Sequence, residues 1–288
     1  VELNYNSAAG LRAFLDDNGL GMRKKFGQNF LINPATRHAL VDALEARAGE
    51  AVWEIGPGLG AMTRILLDRG LSVRAFEIDP GFVRVLKKVF AAEPGLALVE
   101  GDALRTWQAQ GDPAPYLLGN LPYNVGSALL ADFVEKGRFF RRAVVTVQRE
   151  VALRMAAGVG GADYSSFSVL CASAYRVRPL MAIKGASFYP RPNVDSQGVL
   201  LEMREEPGAQ TRPPCFYPLV RQLFSSRRKT VRNNLAACLA RRGTANPFDA
   251  AAELLAKSAV DGGLRAENLH IDDFSALAKA ATDMRLLL

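Results

Sequence analysis

Asn120, Leu121, Pro122 and Tyr123 follow a short apolar run, Tyr116 to Leu118. Pro122 cannot donate to a sheet ladder, so a strand must stop there. An amide, two backbone carbonyls and an aromatic ring are then left at the mouth of a sheet. In open α/β sheets, ligands bind at the carboxyl ends of strands. An amide oxygen and a carbonyl accept hydrogen bonds from a planar amino group, and a ring stacks on the base that bears it. The competing reading is an ordinary strand-to-loop turn. No His or Lys stands in the tetrapeptide, so no general base is assigned.

Three further stretches carry polar groups at informative separations. Glu54-Ile55-Gly56-Pro57-Gly58-Leu59-Gly60 lies between an apolar run and a helical one. Glycines there let the backbone approach a ligand closely. The spacing is not the dinucleotide fingerprint Gly-x-Gly-x-x-Gly, and Pro57 removes an N–H that a pyrophosphate would use. A nicotinamide dehydrogenase is disfavoured on both counts. Glu77 stands 21 residues after Gly56, the separation at which a strand-end carboxylate binds ribose hydroxyls; a surface carboxylate is the alternative. Arg23, Lys24 and Lys25 precede Gln28, Asn29 and Leu31, so charges for phosphates adjoin amides for a small ligand. The alternative is a charged linker between helices.

The elements that must position these groups alternate. Apolar strands are predicted at Ala51–Ile55, Leu71–Ile78, Leu96–Val99, Tyr116–Leu118 and Ala143–Gln148, with Ser166–Tyr175 and Gly198–Glu202 as the last two. Helices are predicted at Ala8–Asn18, from Pro34 to about Ala46 behind an Asn33 cap, and after most strands. Pro190 and Pro192 stiffen a loop before the last strand. Pro207, Gly208, Pro213 and Pro214 mark a linker, and the chain beyond it is helical, with apolar spacing through Leu219–Arg242. The expectation is an α/β domain over residues 1–206 and a small all-α domain over 207–288.

Charge is uneven between the two. The 288 residues carry a formal net charge of +7, of which residues 207–288 hold +5, from 12 Lys/Arg and 7 Asp/Glu. Residues 221–242 contain seven cations (Arg221, Arg227, Arg228, Lys229, Arg232, Arg241, Arg242) and no acid. A one-sign helix face suits a phosphate backbone; a solvated surface is the plainer reading. The three cysteines are far apart and only two histidines exist, which argues against a zinc site and a disulfide framework. No apolar run reaches the length of a membrane span, so a cytoplasmic protein without a membrane partner is expected.

The Asn120–Tyr123 tetrapeptide resembles the Asn/Asp-Pro-Pro-Tyr motif of methyltransferases that act on exocyclic amino groups. Its form with Leu at the second place is similar to the rRNA adenine dimethyltransferases. Lys24 to Leu31 resembles their Lys-x-x-Gly-Gln-x-Phe-Leu signature, and Phe188 to Ser196 their Phe-x-Pro-x-Pro-x-Val-x-Ser motif. Phe224 to Leu235 resembles the Arg-Arg-Lys-Thr-x-Arg-Asn-x-Leu block of the bacterial small-subunit enzymes. The likeness runs in order from about Lys24 to about Ala280. It implies a Rossmann-like class I S-adenosylmethionine (SAM) methyltransferase with a seven-stranded, mostly parallel sheet. SAM would be held by Gln28, Asn29, Leu31, Gly56, Gly58, Glu77, Ile78, Asp102, Ala103 and Asn120. For Asp102 the competing reading is a helix N-cap. Asn120, Leu121, Tyr123 and Phe188 would hold the target adenine. RNA would be held by Arg23, Lys24, Lys25, Arg221, Arg227, Arg228, Lys229 and Arg232. The implied substrate is 16S rRNA in a pre-30S particle, dimethylated by a monomer at two neighbouring adenosines. The rivals are a large-subunit methyltransferase of the antibiotic-resistance type and a non-catalytic assembly factor on the same fold.

Overall fold

A computed structural model describes residues 3–21, 28–111, 114–122, 125–205 and 212–286. In chain order it contains α1 (Ala8–Asp17), β1 (Phe30–Leu31), α2 (Pro34–Asp42), β2 (Ala51–Ile55), α3 (Ala61–Asp68), β3 (Ser72–Glu77), α4 (Pro80–Val89), β4 (Leu96–Glu100), α5 (Ala103–Thr106), β5 (Tyr116–Asn120), α6 (Gly126–Glu135), β6 (Arg142–Gln148) and α7 (Arg149–Ala156). Then come α8 (Ser166–Ala174), β7 (Tyr175–Ile183), β8 (Phe188–Tyr189), β9 (Ser196–Met203), α9 (Phe216–Leu223), α10 (Val231–Arg241), α11 (Pro247–Ser258) and α12 (Ile271–Asp283).

The chain divides into two compact units. One comprises Val1–Ala152 with Val177–Met203, the other Leu153–Arg176 with Arg204–Leu288. The boundary predicted near residue 206 therefore misses an excursion. Leu153–Arg176 packs with the C-terminal helices because Tyr164 and Val169 are buried in the same core as Phe216, Leu235 and Phe274.

In the first unit a seven-stranded sheet has the order β4-β3-β2-β5-β6-β9-β7. The β2–β3, β2–β5, β3–β4 and β5–β6 pairs are parallel, and β6–β9 is antiparallel. The order reverses between β2 and β5, so their carboxyl ends splay into a crevice. One face buries Leu40, Val41 and Leu66 of α2 and α3 against Val52, Val73 and Val144 of the strands. Helix α1 opens on Ser7, whose side chain accepts from the Gly10 N–H. It buries Leu11, Phe14 and Leu15 against Leu59 and Phe82. Each such side chain contributes about 1.5–3 kcal/mol.

Several sequence expectations need correction. Ser166–Tyr175, expected as a strand, is the helix α8. Its apolar run is buried continuously, which leaves strand and helix alike in pattern. Ser165 and Ser168 decide it by capping each other's backbone N–H groups. The remaining strand of the sheet is instead β7, at the end of the order, where Pro179 is tolerated. The helical spacing across Leu219–Arg242 is broken into α9 and α10 by a turn at Phe224–Thr230. A second, two-stranded sheet has no counterpart among the expected elements: β1 pairs antiparallel with β8, Phe30 opposite Tyr189 and Leu31 opposite Phe188. No helix among the described residues is long and apolar enough to cross a membrane.

Candidate active site

The carboxyl ends of β2, β3, β4 and β5 deliver the polar groups singled out above. After β2 the chain turns through Gly56 (φ +68°), Gly58 (φ +60°) and Gly60 (φ +91°), conformations that side chains rarely adopt. A Cβ at Gly58 would lie 3.0 Å from the Phe30 ring, so a side chain there would press on that ring and strain a left-handed backbone. At the end of β3, Glu77 is 4% exposed. Its Oε2 accepts from the Gly58 N–H at 3.0 Å and its Oε1 from the Asp79 N–H at 2.8 Å. Burial pushes the Glu77 carboxyl up to about 7, against the pull of those two N–H groups.

Two adjoining cavities line this edge, with open volumes of about 780 and 790 Å³. They meet along Gly56, Ile78 and Pro122. The first is bordered by Gln28, Asn29, Leu31, Gly58, Glu77 and Asn120. The second is bordered by Asp102, Ala103, Leu121 and Leu129. Asp102 is an N-cap that also lines the second cavity. Its Oδ1 accepts from the Leu104 N–H at 3.0 Å as the cap of α5.

Asn120 closes β5. Its Nδ2 donates to the Asn29 carbonyl at 2.7 Å, which fixes the amide plane and leaves Oδ1 as an acceptor. Gln28 is tied in by Nε2 donating to Asp79 Oδ2 at 3.1 Å. The segment at residues 28–31 and the end of β5 are thus joined across 91 positions of sequence. The Leu121 side chain is buried beneath two glycines: a Cβ at Gly119 or Gly126 would come within 2.7 or 2.9 Å of it.

Tyr123 lies outside the described residues, as do Arg23, Lys24 and Lys25. Phe188 is placed differently from the expectation. It is 3% exposed, packs in the core with Leu31 and Leu40, and borders neither cavity. In this position it supports β1 through the β1–β8 pair. Sequence reasoning missed Tyr5 and Arg37, which both border the first cavity. Tyr5 Oη donates to the Leu59 carbonyl at 3.0 Å, and Arg37 Nη1 donates to the carbonyls of Tyr5 at 3.0 Å and Leu31 at 2.7 Å. The two contacts that tie in Tyr5 span 54 and 32 positions and obey no motif.

In the second unit, the Phe224–Thr230 turn is gathered by Asn234, 2% exposed, whose Nδ2 donates to the carbonyls of Leu223 at 3.0 Å, Ser226 at 3.1 Å and Lys229 at 3.4 Å. Arg227 is engaged within the unit: its Nε and Nη2 donate to Glu267 Oε2 at 3.1 and 2.9 Å, and its guanidinium also reaches the Ala162 carbonyl. Arg228, Lys229 and Arg232 are exposed. Arg221 is exposed as well, on α9.

The donor set fits SAM. A buried strand-end carboxylate suits ribose hydroxyls, Asp102 suits the adenine amino group, and the glycines at 56 and 58 let the backbone of the turn approach a ligand closely. The sequence comparisons agree. A family model described as ribosomal RNA adenine dimethylase matches residues 19–282. The ribosomal RNA small subunit methyltransferase A of Treponema pallidum is 45% identical over 281 residues, covering 96% of both chains. That of Treponema denticola is 41% identical over 286 residues, covering 96% of this chain and 94% of its own. Among solved structures, a dimethyladenosine transferase from Plasmodium falciparum superposes with a TM-score of 0.74 at 24% identity, over 88% of this chain and 98% of its own. That last likeness supports the fold, and the family match together with the two bacterial relatives supports more: this chain belongs to the ribosomal RNA adenine dimethylase family.

Proposed function

We propose that the chain dimethylates N6 of two adjacent adenosines near the 3′ end of small-subunit (16S) rRNA, with SAM as methyl donor. It would act as a cytoplasmic monomer on a pre-30S particle. The observation that carries this reading is the Asn120 amide, held by the Asn29 carbonyl at the border of the first cavity, with its oxygen left to accept. SAM supplies a methyl group already activated by the sulfonium. The adenine amino lone pair is delocalised into the ring and is a poor nucleophile. Asn120 Oδ1 and the Leu121 carbonyl would accept hydrogen bonds from its N–H groups and favour a pyramidal nitrogen; as the S–CH3 bond breaks and the N–CH3 bond forms, the donor leaves as the neutral thioether and the methylated nitrogen releases one proton to water. The resemblance gives Tyr123 the task of stacking on an extruded base. Positioning then supplies much of the acceleration, and no side chain is assigned as general base. Labour divides between the two units: the first performs the chemistry and the second docks the RNA.

The test uses small ribosomal subunits that lack these methyl groups. Incubation with the protein and SAM should add up to four methyls per particle, mapped to adjacent adenosines by mass spectrometry. Asn120→Ala should lower turnover roughly 100- to 1,000-fold, the loss typical of one transition-state hydrogen bond, while particle binding persists. Methylation of large-subunit rRNA instead would overturn the substrate. A normal rate with Asn120→Ala would overturn the mechanism.

A further inference from the structure

We propose that Arg37 is the counter-charge for the carboxylate at the amino-acid end of the methyl donor, a role that rests on the SAM reading above. Arg37 sits in the first turns of α2, is 5% exposed and borders the first cavity beside Asn29, Leu31 and Gly58. A guanidinium stays charged at neutral pH, so a buried one calls for an anion. Arg37 has none among the described residues. Its three hydrogen bonds go to uncharged oxygens: the carbonyls of Tyr5 and Leu31 and the Asn6 side-chain oxygen. Its Nε is buried with no partner at all. Burial without a counter-charge also draws its pKa below the ordinary value.

SAM brings what is missing. Its amino-acid end carries a carboxylate, and its nucleoside end is accounted for by Glu77 and Asp102. Of the described residues bordering the first cavity, Arg37 and Glu77 are the charged ones. Glu77 would repel a carboxylate, whereas Arg37 attracts one and keeps N–H donors outside its three hydrogen bonds, Nε among them. The plainer role for Arg37 is to fasten the segment before α1 through Tyr5 and Asn6. The two roles separate by ligand, because a fastening residue serves every part of the donor alike.

Calorimetry with two nucleosides makes the separation. S-adenosylhomocysteine has the carboxylate, and 5′-methylthioadenosine lacks the whole amino-acid end. Arg37→Met should weaken S-adenosylhomocysteine roughly 10- to 100-fold, the range for a charged hydrogen bond. The same variant should hold 5′-methylthioadenosine within about twofold, and Arg37→Lys should fall between. Equal losses for both ligands, or no loss for either, would overturn the proposal. A measurement on the unaltered protein is independent of how the variants fold: the methyl ester of S-adenosylhomocysteine should bind at least about tenfold more weakly than the free acid. Equal affinity of ester and acid would overturn it too. If the unaltered protein binds neither nucleoside, the SAM reading itself fails and Arg37's role falls with it.

Discussion

At the end of β3, Glu77 holds two backbone N–H groups in a nearly dry pocket, and its pKa of about 7 makes its charge depend on pH near neutrality. Ribose hydroxyls need an acceptor, which the carboxylate provides and the protonated acid provides poorly. SAM affinity should therefore rise as pH increases through 7 and level off above it. Glu77→Ala should weaken SAM by about 1–3 kcal/mol above pH 8, measured by calorimetry, and remove most of the pH dependence. Unchanged affinity in the variant would end this role. Glu54, one strand away, is fully buried and also sits at about 7, pushed up first by burial, while Thr63 Oγ1 donates to its Oε2 at 2.6 Å. Its folded pKa lies above the ordinary 4.5, so the folded chain holds this proton more tightly than the unfolded one. That contribution to stability is full below pH 4.5 and is lost as pH rises through 7. The loss approaches about 3 kcal/mol. Glu54→Gln keeps an acceptor for Thr63 and cannot ionise. Urea titrations should show its stability declining less than the parent's between pH 5 and 8. Parallel declines would mean that Glu54 is not the group responsible. Glu77 was legible in the sequence because its distance from Gly56 is set by one βαβ unit. The anomalous protonation of Glu54 was not, because it arises from the packing around β2.

Elements were legible where local signals agreed and illegible where only the tertiary fold decided. Strands β2 to β5 announce themselves as apolar runs ended by Gly, Asp or Pro, and Asn33 caps α2 by accepting from the Thr36 N–H as its position suggests. The β1–β8 pair has two residues on each side and no periodicity to read. It forms only because the tertiary fold brings Phe30 and Leu31 against Tyr189 and Phe188, 157 to 159 positions away. The turn between α9 and α10 is hidden for a related reason. Apolar residues continue at helical spacing on both sides, and the break depends on one buried amide, Asn234, serving three carbonyls. Asn234→Leu keeps the approximate size and removes the donors. It leaves carbonyls of the turn unpaired, at a cost of about 1–3 kcal/mol. The urea midpoint of the full chain should fall accordingly. An unmoved midpoint would show that the turn holds its shape without this amide.

For the whole molecule, the uneven charge read from the sequence leads to a prediction about docking, and the structure alters which residues carry it. Residues 207–288 hold a net +5, and the acid-free stretch 221–242 lies within them. The sequence could not rank its cations, because ion pairs join residues distant along the chain. Arg227 is the case in point. Its partners, Glu267 and the Ala162 carbonyl, are 40 and 65 residues away. One of them belongs to the Leu153–Arg176 excursion, which a boundary at residue 206 places in the other domain. Arg227 therefore supports its own unit, while Arg228, Lys229 and Arg232 have no hydrogen bond or ion pair through their charged groups among the described residues. A phosphate contact releases counterions, so each one lost flattens the slope of log affinity against log salt by about 0.7–0.9. Arg228→Ala with Lys229→Ala should lower the slope for small-subunit binding by about 1.4–1.8 and leave the melting temperature within a degree or two. Arg227→Ala should do the reverse, lowering the melting temperature and keeping the slope. SAM affinity should be unaffected in both, because its proposed ligands all lie before residue 121. Measuring salt slope and melting temperature on the same preparations sets the two outcomes side by side. A slope that survives the loss of Arg228 and Lys229 would move the docking surface away from this turn.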